Sequence, residues 1–223
     1  MEARYIRNLG AITEADCNLL RQKTVLVVGC GGLGGYLMEY LARIGVGTIR
    51  CVDGDVFDET NLNRQILSSA DNLGKSKVQS AAERLHAVNP DVSVQPIRAF
   101  LDSSNAGMFV DGCDIVLDAL DNIPSRKILA DACAQAKIPY VFGAISGWVA
   151  QAGISMPGDR MIHTLYPEGV EAKDKSVLSF TPAMCAALQT SLCVRFLLGY
   201  PVETGKLHYF DLLCEEYEKI PMK

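Results

Sequence analysis

The stretch Thr24–Leu37, TVLVVGCGGLGGYL, constrains the fold more than any other part of the sequence. Its first half contains Val25–Val28, a continuous aliphatic run of the kind found in strands that are buried on both faces. The run ends in a G-x-G-x-x-G pattern at 29–34, after which a helical pattern begins. Glycines are needed where a strand reverses sharply into a helix and where the backbone approaches a phosphate without a Cβ in the way. The stretch therefore predicts a strand, a turn and a helix whose free N–H groups bind an anion.

A plain glycine-rich turn is the competing interpretation, because G-x-G-x-x-G alone is a weak signal. Here a second strand, Thr48–Val52, follows the helix and ends at Asp53, where a carboxylate can bind a ribose hydroxyl. This order of strand, turn, helix, strand and acid favours a nucleotide-binding turn. Its candidate residues are Gly29, Gly31, Gly32, Leu33 and Gly34.

Strands and helices alternate from residue 25 to residue 144, which predicts a mostly parallel sheet with right-handed crossovers. The expected strands are Val25–Val28, Thr48–Val52, Val92–Pro96, Ile115–Ala119 and Tyr140–Ala144. Helices are expected at Lys75–Val88 and after the N-cap candidate Asn122, with a short helix or turn at Ala106–Val110.

The pattern changes after residue 147. Trp148–Met156 is expected to be a strand that follows its predecessor without a helix between them, and Pro157–Ser179 an irregular polar loop. A helix and two strands complete the chain at Pro182–Leu198, Leu207–Asp211 and Cys214–Ile220. We therefore expect an α/β fold with a Rossmann-like, doubly wound, mostly parallel sheet and antiparallel C-terminal strands. It would form a single domain with an N-terminal arm at 1–22, a nucleotide-binding core at 23–147 and a C-terminal part at 148–223.

The composition argues against several classes of function. A net charge of −5, without a basic stripe, argues against a nucleic-acid partner. The N-terminus MEARYIRNLG has no apolar segment of a signal peptide, and the most apolar helix, Ala183–Leu198, is too short to span a membrane. Eight cysteines without a C-x-x-C pair are typical of reduced thiols in a cytoplasmic protein.

Charged residues of both signs follow the predicted strand ends. Asp53, Asp55 and Asp121 come after strands, whereas Arg64 and Lys77 lie in the segments between. Carboxylates for a ribose and a metal, with cations for phosphate charge, suit a nucleoside triphosphate better than a dinucleotide.

Five motifs match a known family in order and spacing. They are GCGGLG at 29–34, VDGD at 52–55, NLNRQ at 61–65 (with Asn61, Asn63, Arg64 and Gln65), GKSK at 74–77 and DALDN at 118–122. Over about residues 4–213 the chain resembles the ThiF/MoeB/HesA adenylyltransferases, which are related to ubiquitin-activating enzymes. The N-terminal RYIR at 4–7 also resembles the R-Y-x-R arm of that family.

The resemblance implies a reaction and a set of roles. ATP would adenylate the C-terminal Gly-Gly carboxylate of a ubiquitin-like sulfur-carrier protein of thiamine, molybdopterin or related sulfur metabolism, with release of pyrophosphate. Gly32 and its neighbours would pack on the phosphates, and Asp53 would hold the ribose. Arg64 and Lys77 would contact the triphosphate, and Asp121 would carry Mg²⁺. Arg7 would reach into the active site of a partner subunit in a homodimer.

The chain departs from the family pattern in two places. Family members commonly bind a structural zinc through two C-x-x-C pairs. Here MIHT stands at 161–164 in place of the first pair, and the sequence ends at Lys223, before the second. Many relatives also carry a cysteine in the loop that corresponds to EAKDKS at 171–176. We therefore expect no zinc, no obligatory catalytic cysteine and a separate sulfur donor.

Three other functions stay open at this point. The same fold activates small carboxylates, such as one on a modified tRNA base. An NAD(P)-dependent oxidoreductase would share the glycine turn and Asp53, although it leaves Arg64, Lys77 and Asp121 unexplained. A scaffold that only binds the carrier would not need the charged set.

Overall fold

The computed structural model describes residues 2–170 and 176–222. The strands are β1 (Thr24–Val28), β2 (Thr48–Val52), β3 (Ser93–Ile97), β4 (Ile115–Asp118), β5 (Tyr140–Ser146), β6 (Val149–Ser155), β7 (Lys206–Asp211) and β8 (Glu216–Pro221). The helices are α1 (Glu14–Leu20), α2 (Gly32–Ile44), α3 (Lys77–Val88), α4 (Ala106–Val110), α5 (Ile123–Ala136), α6 (Met161–Leu165) and α7 (Phe180–Leu197). Short 3₁₀ helices lie at Ala3–Asn8, Glu59–Asn61 and Ala70–Asn72.

Within the described residues, eight strands form one sheet in the order β3-β2-β1-β4-β5-β6-β7-β8. Strands β1 to β5 are parallel, and Val25 pairs with Ile49 on one side and Ile115 on the other. Strands β5 to β8 then pair antiparallel, each with the next along the chain. The expected fold class is confirmed, including the switch to antiparallel strands after residue 147.

The side chains of β1 point alternately into two cores. Val25 and Val27 pack in the core that α2, α3 and α7 cover, whereas Leu26 and Val28 pack in the core beneath α4, α5 and α6. All four side chains are at most 1% exposed. A strand with helices on both faces needs apolar side chains on both, which explains the continuous aliphatic run.

The N-terminal arm is tied to the end of α3. Thr13 and Asp16 form a capping box at the start of α1, with a 3.1 Å hydrogen bond from the Asp16 N–H to Thr13 Oγ1. Tyr5 is buried, and its hydroxyl accepts a 2.7 Å hydrogen bond from Asn89 Nδ2.

The prediction of an irregular loop at Pro157–Ser179 is wrong in part. Met161–Leu165 forms helix α6, because Met161 and Ile162 are buried in the core beneath α5. Five residues are too few to show a helical period in a sequence. The part of that prediction at 171–175 lies outside the described residues.

Helix α7 corrects a second expectation. With 18 residues it is long and apolar enough to cross a membrane, so length does not exclude a span. In this structure 56% of the helix is buried, where it packs on α2, β5 and β6 as a core helix. It begins at Phe180, so Pro182 lies in its first turn, where a missing N–H costs no helical hydrogen bond.

Candidate nucleotide-binding site

A cleft of about 770 Å³ opens at the carboxyl ends of the parallel strands, a volume that suits a nucleotide. It lies at the switch point where the chain winds away from β1 in both directions. The predicted site residues that line it are Gly29, Gly31, Gly32, Leu33, Asp53, Asp55, Asn61, Arg64, Gln65, Lys77, Asp121 and Asn122. Arg7, Gly34 and Asn63 lie outside its lining.

Two glycines allow strand, turn and helix to pack closely. Gly29 has a φ of +98°, and a Cβ there would lie 2.5 Å from the carbonyl oxygen of Ala119. A Cβ on Gly34 would lie 1.8 Å from the carbonyl oxygen of Gly29. Neither position admits a side chain, so both glycines are requirements of the fold itself.

Gly31 and Gly32 have a different environment. A Cβ on either would come no closer than 3.5 Å to another protein atom, which is ordinary van der Waals contact. Packing therefore does not require glycine at these positions. Both line the cleft at the N-terminus of α2, where the first N–H groups have no partner within the helix. The missing side chains leave those N–H groups open to an anion.

We expect Gly32→Ala to keep the fold and to weaken triphosphate binding. Alanine favours a helix over glycine by up to about 1 kcal/mol, so the melting temperature should stay or rise. The added methyl group hinders the approach of a phosphate to these N–H groups. The affinity for ATP should therefore fall about tenfold, which is the usual effect of losing one hydrogen bond to a charged group. Gly107→Ala, in α4 with open space around it, is the matched control. Equal ATP affinity of the two variants by calorimetry would contradict this role.

Asp53 joins the end of β2 to the glycine turn. Its Oδ2 accepts a 2.7 Å hydrogen bond from the N–H of Cys30, and its Oδ1 accepts a 2.8 Å bond from the N–H of Asp55. The carboxylate therefore stabilises the turn, and each oxygen keeps acceptor capacity for a ligand hydroxyl in the cleft.

Lys77 is a buried cation in the wall of the cleft. Its side chain is 8% exposed, and its Nζ lies 3.4 Å from Oδ2 of Asp55, whose side chain is 55% exposed. The backbone N–H of Lys77 also donates to the carbonyl of Asp55, at 3.1 Å, as α3 begins. An ammonium group with one solvated carboxylate nearby can still attract phosphate oxygens.

Arg64 is held in place by its own segment. Its Nη1 donates to the carbonyl of Thr60 and to Oδ1 of Asn63, both at 2.9 Å. Asn63 in turn donates from Nδ2 to the carbonyl of Val177, at 3.2 Å. Asn63 therefore lies beside the cleft and holds Arg64 in position. A contact between Asn63 and the nucleotide stays a prediction.

Asn61 and Gln65, which belong to the same motif as Arg64, are both buried. The side chain of Asn61 exchanges hydrogen bonds of 3.2 and 3.1 Å with Asp58, which fixes the 3₁₀ turn. The Oε1 of Gln65 finds no hydrogen-bond partner among the residues that the structure describes, although its amide lies against Gly31. An unpaired buried acceptor at the wall of a cleft is available to a ligand.

Asp121 presents an exposed carboxylate on the wall of the cleft. Its neighbour Asn122 caps α5 as expected, with Oδ1 accepting a 2.9 Å bond from the N–H of Ser125. Within 2–170 and 176–222, no group of three or more His, Cys, Asp or Glu side chains could hold a metal ion. Mg²⁺ usually takes one or two carboxylates together with phosphate oxygens, so Asp121 suits it only alongside a bound phosphate.

A buried ion pair that the sequence did not indicate lies beneath the Asp121 loop. Asp118 ends β4 fully buried, and its Oδ2 lies 2.6 Å from Nη1 of Arg126 on α5. The same Nη1 donates to the carbonyl of Gly143 at 2.6 Å, while Nη2 donates to the carbonyl of Leu120. Arg126 therefore joins the ends of β4 and β5 to the loop that carries Asp121.

Further polar groups complete this network. The Tyr140 hydroxyl donates to Asp118 Oδ2, and Gln189 Nε2 donates to the carbonyl of Asp118 at 2.9 Å. Burial raises the pKa of the Asp118 carboxyl, although Arg126 opposes that rise. Burial alone would lower the pKa of Arg126, but Asp118 raises it, so the guanidinium stays charged. A lone glutamine in the apolar helix α7 was the one available signal of this network.

Next to the loop after β4, strands β5 and β6 and the segments after them form an uncharged wall of the cleft. This wall contains Ile145, Ser146, Val149, Gln151, Tyr166 and Val177. Arg7 is exposed on the N-terminal arm and does not line the cleft. Of the three cations predicted for the site, Arg64 and Lys77 line the cleft of this chain, and Arg7 does not.

A model of the ThiF family matches residues 3–223. The chain belongs to the ThiF family. The resemblance drawn from the five motifs is thereby confirmed. In this ThiF-family chain Gly29, Asp53, Lys77 and Asp121 line one cleft.

Three relatives illustrate the similarity. The SAMP-activating enzyme E1 of Haloferax volcanii is 37% identical over 212 residues, which cover 92% of this chain and 78% of that protein. The molybdopterin-synthase adenylyltransferase of Escherichia coli is 30% identical, with coverage of 91% and 84%. The probable adenylyltransferase/sulfurtransferase MoeZ of Mycobacterium tuberculosis is 35% identical, and the match spans 92% of this chain but 55% of MoeZ.

Solved structures share the fold of this ThiF-family chain. E. coli MccB, crystallised with ATP, superposes with a TM-score of 0.84 over 100% of this chain and 72% of MccB, at 24% identity. PaaA superposes with a TM-score of 0.80 over 93% of this chain and 66% of PaaA, at 23% identity. At such identities the likeness concerns the fold alone.

Proposed function

We propose that this ThiF-family adenylyltransferase uses ATP to activate the C-terminal Gly-Gly carboxylate of a ubiquitin-like sulfur-carrier protein. The observation that carries the proposal is the convergence of Asp53, Arg64, Lys77 and Asp121 on the glycine turn in one cleft. Hydride transfer with NAD(P) would not require that set of charges. The names of the relatives, a SAMP-activating enzyme and a molybdopterin-synthase adenylyltransferase, support a protein substrate.

The reaction is an in-line displacement at the α-phosphorus of ATP. A carboxylate oxygen of the substrate forms the new bond to the α-phosphorus. The bond from that phosphorus to the oxygen that bridges to the β-phosphorus breaks, and pyrophosphate leaves with this oxygen. A C-terminal carboxylate is already ionised near neutral pH, so the step needs no general base. Positioning and charge neutralisation therefore supply the catalysis.

Residues of this chain divide that work. The N–H groups at the start of α2 bind phosphate oxygens, and Arg64 and Lys77 stabilise the charge that grows on the leaving pyrophosphate. Asp53 accepts hydrogen bonds from the ribose while it keeps the glycine turn in place. Asp121, together with phosphate oxygens, would hold Mg²⁺, which would supply further neutralisation of the phosphate charge.

The uncharged wall at β5 and β6 suits the tail of a carrier protein. A Gly-Gly end has no side chains, so it would be bound through backbone hydrogen bonds rather than charged contacts. Gln151 and Tyr166 belong to this wall and carry polar groups of the required kind.

ATP–pyrophosphate exchange with Gly-Gly-tailed carriers tests the proposal. Labelled pyrophosphate should enter ATP only when a cognate carrier is present, and not when that carrier lacks its two terminal glycines. The Asp121→Ala chain should give no exchange with the same carrier. If ATP binds but no carrier supports exchange, the function moves to activation of a small or tRNA-borne carboxylate.

We expect a homodimer in which Arg7 acts on the partner's cleft, as an arginine finger does. The exposed position of Arg7, away from the cleft of its own chain, supports this arrangement. Mixing an Arg7→Ala chain with an inactive Asp121→Ala chain should restore part of the exchange activity, because a hybrid dimer holds one intact site. Sedimentation of the mixture verifies subunit exchange. Full exchange without recovery of activity would place Arg7 in its own subunit or outside the reaction.

We also propose that the enzyme stops at the acyl-adenylate, takes no part in sulfur transfer and binds no zinc. Burial raises the pKa of Cys185 to about 12, and it also raises the pKa of Cys193. Contact with Cys51 and burial raise the pKa of Cys30 in the glycine turn. Such thiols are poor nucleophiles. Mass spectrometry of the reaction mixture should show carrier adenylate without a thioester or persulfide on this chain, and metal analysis no stoichiometric zinc. Seven of the eight cysteines are free and buried, and Cys214 is free and exposed. Free thiols agree with the cytoplasmic location that we propose.

A further inference from the structure

Phe100 is an exposed aromatic side chain on the wall of the cleft. It follows β3, is 68% exposed and lines the cavity. Its neighbours Ala99 and Leu101 pack against the core, so the chain turns one residue of the three outwards. Single exposed apolar residues are common on protein surfaces, so exposure alone indicates nothing. The position in the cleft and the support beneath the ring distinguish this one.

The protein holds the Phe100 ring in place. The ring lies over Gly54, where a Cβ would stand 2.6 Å from two of its carbon atoms. The carbonyl of Phe100 accepts a 2.9 Å hydrogen bond from Nδ2 of Asn105. Asp102 closes the same loop by accepting a 2.8 Å bond from the N–H of Ser104. The ring is thus backed by the chain on one side and open to the cavity on the other.

The order of the strands places Asp53 between the glycine turn and Phe100. The glycine turn follows β1, Asp53 follows β2 and Phe100 follows β3, and these three strands are consecutive neighbours in the sheet. The loop after β3 lines the cleft with the apolar residues Ala99, Phe100 and Leu101. A nucleotide whose phosphates lie on the glycine turn and whose ribose meets Asp53 therefore places its base beside Phe100.

We propose that Phe100 stacks on the adenine of bound ATP and thereby selects for a nucleobase in this cleft. The inference rests on the proposed function in requiring ATP as the nucleotide. The open face of an aromatic ring next to the ribose site can stack on the face of a purine. Such stacking contributes substantially to the affinity for a nucleotide. Gly54 is part of this base site, because a side chain at position 54 would displace the Phe100 ring.

Affinity measurements on Phe100→Ala test the inference without any carrier protein. Isothermal titration with Mg-ATP should show binding weakened roughly 10- to 100-fold, as expected for one lost stacking contact. Inorganic tripolyphosphate, which has no base, should bind wild type and variant equally. Met108→Ala, on α4 and 70% exposed, is the matched control and should change neither affinity. Phe100→Leu should keep the apolar surface but lose part of the ATP affinity.

A fluorescence readout separates stacking from a structural role. The sequence has one tryptophan, so Phe100→Trp in a Trp148→Phe background places the sole indole at the proposed base site. Mg-ATP should quench its emission, whereas tripolyphosphate should not. Unchanged ATP affinity of Phe100→Ala, or equal losses for ATP and tripolyphosphate, would overturn the inference. Either result leaves carrier-dependent exchange by the wild type intact, so failure of the inference is distinct from failure of the proposed function.

Discussion

Replacing Lys77 by methionine should lower the rate of carrier-dependent ATP–pyrophosphate exchange by about 100- to 1,000-fold, the usual effect of removing one group that stabilises transition-state charge. The ammonium group is largely withdrawn from water, with Asp55 as its neighbour at 3.4 Å. Desolvated charges interact more strongly with phosphate than solvated ones do. The loss should therefore fall on catalysis, where charge develops on the leaving pyrophosphate, more than on ATP affinity.

The fold should tolerate this replacement. Methionine keeps the apolar stem of the lysine, and Asp55 is 55% exposed, so water can solvate the carboxylate that loses its partner. The melting temperature of Lys77→Met should therefore stay close to that of wild type.

Lys75→Met provides the matched control for Lys77→Met. Lys75 lies two residues earlier, is exposed and does not line the cleft. Its replacement makes the same change in net charge, so any general electrostatic effect should appear equally in both variants. Comparable exchange rates for the two variants would remove Lys77 from the reaction and leave Arg64 as the cation that stabilises pyrophosphate.

Much of the fold and of the cleft could be predicted because the relevant signals are local. A buried parallel strand is recognisable from Val25–Val28 alone, and the G-x-G-x-x-G pattern at 29–34 predicts the turn that follows it. Asp53, Lys77 and Asp121 follow strands or begin helices, and parallel topology alone brings such positions to one edge of a sheet. Their convergence in the cleft required no knowledge of side-chain packing.

The features that were missed depend on tertiary contacts. Asp118 and Arg126 are eight residues apart, and nothing local shows that one is the buried partner of the other. Phe100 reads in the sequence as one more apolar residue after a strand, although the structure turns it to the cleft. Helix α6 is too short to show a period, and the hydrogen bond from Asn63 to the carbonyl of Val177 joins residues that are far apart in the sequence. The proposed role of Arg7 requires a second chain, and the pattern of residues within one chain does not predict how two chains pair.

The second large effect should be on stability and should come from the buried ion pair of Asp118 and Arg126. In the proposed mechanism this pair does not contact the substrates, but it holds the loop that carries Asp121. Arg126→Met should lower the free energy of unfolding by about 3–5 kcal/mol, because it leaves the Asp118 carboxylate buried without its counter-charge. It also removes the donors to the carbonyls of Gly143 and Leu120. Domains of this kind are stable by only about 5–15 kcal/mol, so the variant would be marginal.

Urea unfolding measures this loss against a matched replacement on the surface. Arg43 likewise pairs with an acid, Glu39, which lies four residues earlier on the same helix, α2. The Arg43 side chain is 57% exposed, and Glu39 keeps Arg84 as a second partner. Arg43→Met should therefore cost no more than about 1 kcal/mol. Where Arg126→Met yields too little folded protein, Arg126→Lys is the second variant, because lysine keeps the positive charge but lacks the paired nitrogen donors of the guanidinium.

Arg126→Lys should unfold at a lower urea concentration than wild type. It should also catalyse pyrophosphate exchange more slowly, because the loop that carries Asp121 is no longer held by a hydrogen bond at Leu120. Urea midpoints for both Arg126 variants within the range of Arg43→Met would mean that the hydrogen-bonded backbone, and not the ion pair, fixes this edge of the cleft.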